Sequence, residues 1–151
     1  MPDHTPLQLE HFLPYRLSIL SNRVSAAIAR EYQDRFDLST TEWRVMAVLA
    51  RFHDHGLSAR EVATHTAMDK VAVSRALARL VAAGRVRRRV HRGDKRRSVL
   101  ALTAAGWRIH AAVAPLARSH ERELLGRLRA DERQMLSRIL DKLAPVQANA
   151  D

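Results

Sequence analysis

Between residues 84 and 97 the chain reads Gly-Arg-Val-Arg-Arg-Arg-Val-His-Arg-Gly-Asp-Lys-Arg-Arg. Eight Lys or Arg stand against one Asp, which accounts for seven of the chain's formal charge of +10. Cations at this density bind polyanions by neutralising phosphates or comparable groups and releasing counterions. The stretch is internal and has patterned sequence on both sides, so a solvated tail is not the natural reading. Arg92-Gly93-Asp94-Lys95 has turn chemistry, and Ser98-Val99-Leu100-Ala101-Leu102 reads as a returning strand. The pattern predicts a two-stranded hairpin with a cationic tip.

Little else in the chain is arranged for reaction chemistry. There is no Gly-rich phosphate loop, no nucleophile elbow and no HExxH, and the acids sit as caps or helix-surface partners. That argues against an enzyme. The absence of cysteine excludes disulfides and thiolate zinc sites. His53-Asp54-His55 supplies two imidazoles and a carboxylate, the beginning of a zinc site, with surface polarity as the alternative. No cofactor is expected. A pI near 11.4 fits nucleic acid first, an anionic membrane second and acidic proteins third. No apolar run approaches the roughly 18–20 residues of a membrane span, and Met1-Pro2-Asp3-His4 lacks the build of a signal peptide. A cytoplasmic, membrane-free protein is expected.

The elements that position the basic stretch can be read in order. Residues 1–11 look like a flexible arm. Leu13, Leu17, Leu20, Val24 and Ile28 form one stripe of a long helix from about Phe12 to Arg35, with Pro14 in its first turn. Ser39-Thr40-Thr41-Glu42 and Ser58-Ala59-Arg60-Glu61 are capping boxes for a second and a third helix. After a break at Thr66-Ala67-Met68, Asp69 caps a fourth helix, which Gly84 ends. Two helices joined by about three residues have helix-turn-helix spacing. Thr103 caps a long helix to about Arg127 that Pro115 in its interior should kink, and a last helix runs from about Asp131 to Leu143. The predicted fold is mostly α with a small β-hairpin wing. The apolar stripes at both chain ends exceed what one winged unit can cover, which points to a two-fold dimer sharing a helical layer.

In the fourth helix Val73, Leu77 and Leu80 share the inward side. At 100° per residue the outward side holds Val71, Arg75, Ala78 and Arg79, flanked by Lys70, Ala72 and Ser74. Small side chains, a hydroxyl and cations without an acid suit a groove lined by phosphates and base edges. Arg75 could pair with guanine, Ser74 with a phosphate or base, and Val71 or Ala72 with a thymine methyl. In the hairpin, Val86 and Val90 are expected on one face, with Arg85, Arg87, Arg89 and His91 on the other, where the three arginines are phosphate contacts. Arg96 is expected to enter a minor groove. Asp94 either holds a neighbouring Arg by a bidentate pair or serves the turn alone.

The whole order of elements, about residues 12–144, resembles the MarR family of bacterial transcription regulators. The strings that carry the likeness are Leu38-Ser39-Thr40-Thr41-Glu42-Trp43, Leu57-Ser58-Ala59-Arg60-Glu61-Val62-Ala63, Val73-Ser74-Arg75-Ala76-Leu77-Ala78-Arg79-Leu80 with Gly84, and Asp94 through Gly106. The resemblance implies a winged helix-turn-helix over residues 38–102, with residues 12–37 and 103–147 forming an N- and C-terminal helical dimerisation layer. It implies a homodimer on a pseudo-palindromic operator in double-stranded DNA, usually a repressor, and a wing in which Asp94 positions Arg96. Gly84-Arg85-Val86-Arg87-Arg88-Arg89 departs from the family, which more often has a larger apolar residue at position 85 and a less cationic strand. The candidate DNA-binding set is Ser58, Lys70, Val71, Ala72, Ser74, Arg75, Arg79, Arg87, Arg89, Asp94, Lys95, Arg96 and Arg97.

The family binds phenolic and aromatic carboxylates between the dimer layer and the winged unit. In this chain that implies a ligand site of His11, Tyr15, Arg16, Trp43, Met46, Trp107 and His110. Arg16 is the cation for a small aromatic acid effector, since a guanidinium pairs with a carboxylate bidentately. Its other reading is a solvated or intersubunit ion-pair residue. A metal-responsive (zinc) regulator of the same fold and a non-specific architectural DNA-binding protein are the rival functions. One outcome separates a specific wing from a generic cationic hook. Operator titrations by fluorescence anisotropy should show Arg96→Ala weakening binding far more than Arg87→Ala, with equal losses for the two variants at low and high salt favouring the hook.

Overall fold

The structure is a computed structural model and describes residues 4–90, 93–94 and 98–144. Its elements are a 3-10 turn at Leu9–His11, helix α1 (Leu13–Phe36), α2 (Thr40–Arg51), α3 (Ala59–Thr66), α4 (Lys70–Ala82), strands β1 (Val86–Val90) and β2 (Ser98–Leu102), then α5 (Ala104–Leu125) and α6 (Ala130–Leu143). The arm expected at residues 1–11 thus ends in a defined turn rather than irregular chain. The chain divides into two compact units, residues 1–116 and 117–151.

Helix starts follow the expected caps. Ser39 Oγ accepts from the Glu42 amide at 3.1 Å, Ser58 Oγ from the Glu61 amide at 3.2 Å, and Asp69 Oδ2 from the Ala72 amide at 3.1 Å. Each satisfies one of the orphan donors that open a helix. At Ser58 the box closes completely, with its own amide donating to Glu61 Oε2 at 2.7 Å. At Ser39 the expected box stays half formed: the Glu42 carboxylate takes the Ser39 hydroxyl proton at 3.1 Å instead of the backbone amide's. Thr103 Oγ1 accepts from the Gly106 amide at 3.1 Å and opens α5.

Helix α1 ends on Asp37 and α3 on Ala67, both in the left-handed region at φ of 47° and 51°. For residues other than glycine that conformation costs roughly 1–2 kcal/mol, so packing on either side holds both turns. Helix α4 ends on Gly84 at φ 70°, where no such cost applies.

The core of the first unit forms where α1's last third, α2, α3, α4 and the hairpin root meet. Tyr32, Leu38, Val45, Met46, Leu49, Val62, Val73, Leu77, Leu80, Val86 and Leu100 are all essentially inaccessible, as is Val113 of α5. By contrast the N-terminal part of α1 is exposed, with Leu13, Leu17 and Leu20 all above two-fifths accessible.

The strands pair antiparallel, Val86 opposite Leu102 and Val90 opposite Ser98. A bridge not anticipated from sequence extends this sheet: Leu57 pairs with Leu100, their amides donating to each other's carbonyls at 3.4 and 2.7 Å. At the outer end of β1 the face that Val86 and Val90 share is no longer covered. Val86 is buried but Val90 is 63% exposed, because the strand rises off the core after its first residue and only Val86 is covered.

In the second unit the α5–α6 turn is held by Arg133 Nε, which donates to Leu125 O at 2.9 Å, and by the Arg129 amide, which donates to Glu132 Oε2 at 2.8 Å. The Arg129 guanidinium beside Asp131 holds that carboxyl below its usual value. Along α6, Met135, Leu136, Ile139, Leu140 and Leu143 are exposed. Pro115 lies inside α5, which continues through it. Among the described residues no helix is long and apolar enough to cross a membrane.

Leu77 is fully buried, on a helix that packs against α2, α3 and β1. Leu77→Ala should therefore cost about 2–5 kcal/mol, the range for cavities in close-packed cores. Chemical denaturation with an unchanged m-value checks this.

Candidate nucleic-acid interface

The buried side of α4 decides what its other side presents. Val73, Ala76, Leu77 and Leu80 face the core, so Lys70, Val71, Ser74, Arg75, Ala78 and Arg79 are exposed and Ala72 is half-buried. Val71 stands 55% exposed, an apolar residue with no intramolecular reason to be there. The α3–α4 turn is tightened by Ala67 and by Thr66 Oγ1, which donates to Ala63 O at 3.0 Å. Between the two helices lies a hollow of about 470 Å³ lined by Ala59, Arg60, Ala63, Lys70, Val73 and Ser74. Its floor is apolar and its rim carries two cations and a hydroxyl, a surface able to follow a phosphate backbone.

Arg60 belongs to this rim and was not among the sequence candidates. Its place inside the Ser58–Glu61 capping box was the available signal, since that box aims the first turn of α3 at the turn preceding α4. Ser58 is half-buried and its hydroxyl already accepts the cap hydrogen bond, which leaves it a proton to donate. Arg79 sits at the opposite flank. Its guanidinium lies 3.7 Å from Glu42, whose side chain is only 9% exposed. A buried carboxylate thus orients one cation of the outward face, a role invisible in a residue expected only to cap α2.

On β1, Arg87, Arg88 and Arg89 are all exposed. Arg88 joins the sequence candidates Arg87 and Arg89 because β1 is uncovered on both faces beyond Val86. Asp94 is exposed and has an interaction within the protein. Lys95, Arg96 and Arg97, with the expected Asp94–Arg96 pair, lie outside the described residues, as does His91. Arg85 departs from the expectation of a phosphate contact. It is half-buried, and its guanidinium donates to the carbonyls of Phe36 and Asp37 at the end of α1.

The candidate ligand residues separate into two groups. Trp43 stacks on His110 with ring centroids 5.5 Å apart, and His110 meets Trp107 edge-on at 5.6 Å. Two residues not foreseen extend the row: Tyr32, 6.0 Å from Trp43, and His53, 5.6 Å from Trp107. Burial pushes the Tyr32 phenol above its usual value, and Thr40 and Arg44 offset part of that. Its enclosed hydroxyl makes no well-formed hydrogen bond among the described residues. Met46 is fully buried in the core.

His11, Tyr15 and Arg16 are exposed at the start of α1 and in the turn before it. Arg16 precedes Tyr32 by sixteen residues, about 24 Å along the helix at 1.5 Å per residue. His53 is engaged at both ring nitrogens, Nδ1 with Ala50 O at 3.0 Å and Nε2 with Asp54 at 2.9 Å. Among the described residues no three His, Asp or Glu converge as metal ligands.

A helix-turn-helix whose second helix turns small residues and cations outward, followed by a basic hairpin, is the architecture of a winged-helix regulator. Comparisons with known proteins agree. The MarR family model matches residues 36–97. Transcriptional regulator HosA of Escherichia coli O127:H6 is 31% identical over 115 residues, 76% of this chain and 84% of that protein. A MarR/EmrR family transcriptional regulator from Acinetobacter sp. ADP1 superposes with TM-score 0.80 at 25% identity, covering 91% of this chain and 95% of that one. A mutant MarR from E. coli, solved with operator DNA, gives 0.75 at 27% identity, with 93% and 100% covered. The chain belongs to the MarR family of transcriptional regulators.

Within the interface the cations divide by position. If Arg75 reads a base, Arg75→Ala should cost about 1–3 kcal/mol on the preferred site and flatten the difference between sites. Lys70→Ala should weaken all sequences alike and lower the slope of log K against log salt by about 0.9. Anisotropy titrations across a salt series against two DNA sequences check both.

Proposed function

We propose that this protein is a homodimeric repressor that reads a pseudo-palindromic operator in double-stranded DNA and is released by a small aromatic acid. The observation that carries the DNA part is the outward face of α4, where Val71, Ser74 and Arg75 stand exposed with no acid among them. The E. coli relative solved with operator DNA supports the same reading. Residues 38–102 would form the DNA-reading unit. Val71 and Ala72 would meet thymine methyls, Arg75 guanine and Ser74 a base or phosphate. Ser58, Lys70, Arg79, Arg87 and Arg89 would follow the backbone, with Lys95, Arg97 and the Asp94–Arg96 pair at the wing tip.

Homodimerisation rests on the exposed apolar stripes, Leu13, Leu17 and Leu20 in one unit and Met135 to Leu143 in the other. Burying such surface is worth roughly 25 cal/mol per Å². Residues 12–37 and 103–147 would supply the shared layer. Two recognition helices must then sit about 34–36 Å apart to read successive major grooves. An effector that binds a differently spaced state more tightly releases DNA. The row of Tyr32, Trp43, His110 and Trp107 supports an aromatic effector, because flat rings stack on it. Arg16 would pair the effector's carboxylate if the dimer brings α1 of one copy to the rings of the other.

Sedimentation equilibrium should give a dimer. Operator selection followed by titration should give at least a 10³-fold preference over random DNA, and less than about tenfold would favour the architectural reading. A panel of small aromatic acids should stabilise the fold by linkage, by about 2.7 kcal/mol at a hundred times Kd, read as a higher Tm, and weaken operator binding. Full release of Arg16→Ala by the same acids would remove Arg16 from the effector site.

A further inference from the structure

Arg85 occupies a position where chain geometry calls for an apolar side chain. Helix α4 ends in a Schellman motif. The Gly84 amide donates to Val81 O at 3.0 Å and the Arg85 amide to Leu80 O at 2.9 Å, with Gly84 left-handed between them. The residue after the glycine in such a motif ordinarily packs an apolar group on the helix's last turn. Here a guanidinium stands there and reaches out of the motif. Nη1 donates to Asp37 O at 3.2 Å and Nη2 donates to Phe36 O.

Those are terminal carbonyls of α1, acceptors with no partner inside the helix and lying at the negative end of its dipole. A planar fork meets two adjacent carbonyls in a way a single ammonium does not. The backbone of the same residue is tied elsewhere. Its carbonyl accepts from the Thr103 amide at 3.1 Å, and Gly106 in the first turn of α5 approaches it so closely that a Cβ would collide. Thr103 Oγ1 closes the junction by donating to Gly84 O at 2.6 Å.

The end of α1, the end of α4, the root of the wing and the start of α5 therefore meet on one residue, all inside the first unit. We infer that Arg85 is a positioning residue: its guanidinium ties the last turn of α1 to the root of the wing, so that the hairpin's placement follows α1. Arg85 does not contribute a phosphate contact, although it belongs to the most cationic stretch of the chain. Any displacement of α1's last turn is passed to β1 through this fork.

The inference concerns how the proposed DNA reader is set, and the test has one arm that does not depend on DNA. Arg85→Met keeps the aliphatic stem and removes the donors. Arg85→Lys keeps the charge and removes the fork. In the free protein, hydrogen exchange at the Arg85 and Thr103 amides should speed up at least fivefold in both variants, with α3 amides unchanged. On the operator, at a temperature where both variants are folded, affinity should fall about tenfold or more at every salt concentration, with the salt slope unchanged from wild type. Arg87→Met is the contrast, expected to lower the slope by about 0.9 and leave exchange at residues 85 and 103 alone. A slope lowered by Arg85→Met and restored by Arg85→Lys would make Arg85 a phosphate contact and overturn the inference. Unchanged exchange in both variants would overturn it as well. Failure of wild type to prefer any operator would count against the DNA reading, and the exchange arm would still decide the role of Arg85.

Discussion

The burial of one side of α4 governs everything the protein presents to a partner. Val73, Ala76, Leu77 and Leu80 are enclosed by α2, α3 and the hairpin root, so the helix cannot rotate without opening the core. A turn of 100° would carry Arg79 inward in one direction and Lys70 and Ser74 in the other, and burying an unpaired cation costs far more than any single contact outside could return. The outward face is thus specified by what it is not: it holds the residues left over when the apolar side is satisfied. Asp69 and Ala67 complete the constraint, one fixing where the helix starts and the other the turn that delivers it.

Much of this was legible because it rests on local rules. Ser39, Ser58, Asp69, Gly84 and Thr103 all terminate helices where their chemistry says they should. The period of Val73, Leu77 and Leu80 named the inward side of α4 correctly. What escaped was long-range. Arg85 looks like its cationic neighbours, and only the distance of 48 residues closed by its hydrogen bond to Asp37 separates it from them. The Leu57–Leu100 bridge joins residues that no periodicity relates. Val90 followed the alternation of its strand, but alternation says which face a residue takes, not whether anything covers that face.

The candidate ligand residues show the same division more sharply. Trp43 is far in sequence from Trp107 and His110 and stacks on His110 in space, while Arg16 lies on the same helix as Tyr32 and far along it. A helix is a ruler, and residues on one helix can share a site only within a few turns. Tyr32 joined the aromatic row unannounced because a buried tyrosine at helical spacing reads first as core. Arg60 and Arg88 are hidden for simpler reasons: Arg60 lies inside a capping box, and Arg88 shares by alternation the face of Val86 and Val90.

Attachment of the hairpin at its base has a mechanical meaning. Leu57 bonds to Leu100, Val86 is sealed beneath, and beyond them both strands stand clear of the core. The described part of the wing is a cantilever with a clamped root, which the Leu57–Leu100 bridge keeps from sliding along its own axis. Beyond that root the described strands are held by their mutual pairing, Val90 opposite Ser98, so the register of the whole ribbon against α4 is set where Val86 and Leu100 are buried.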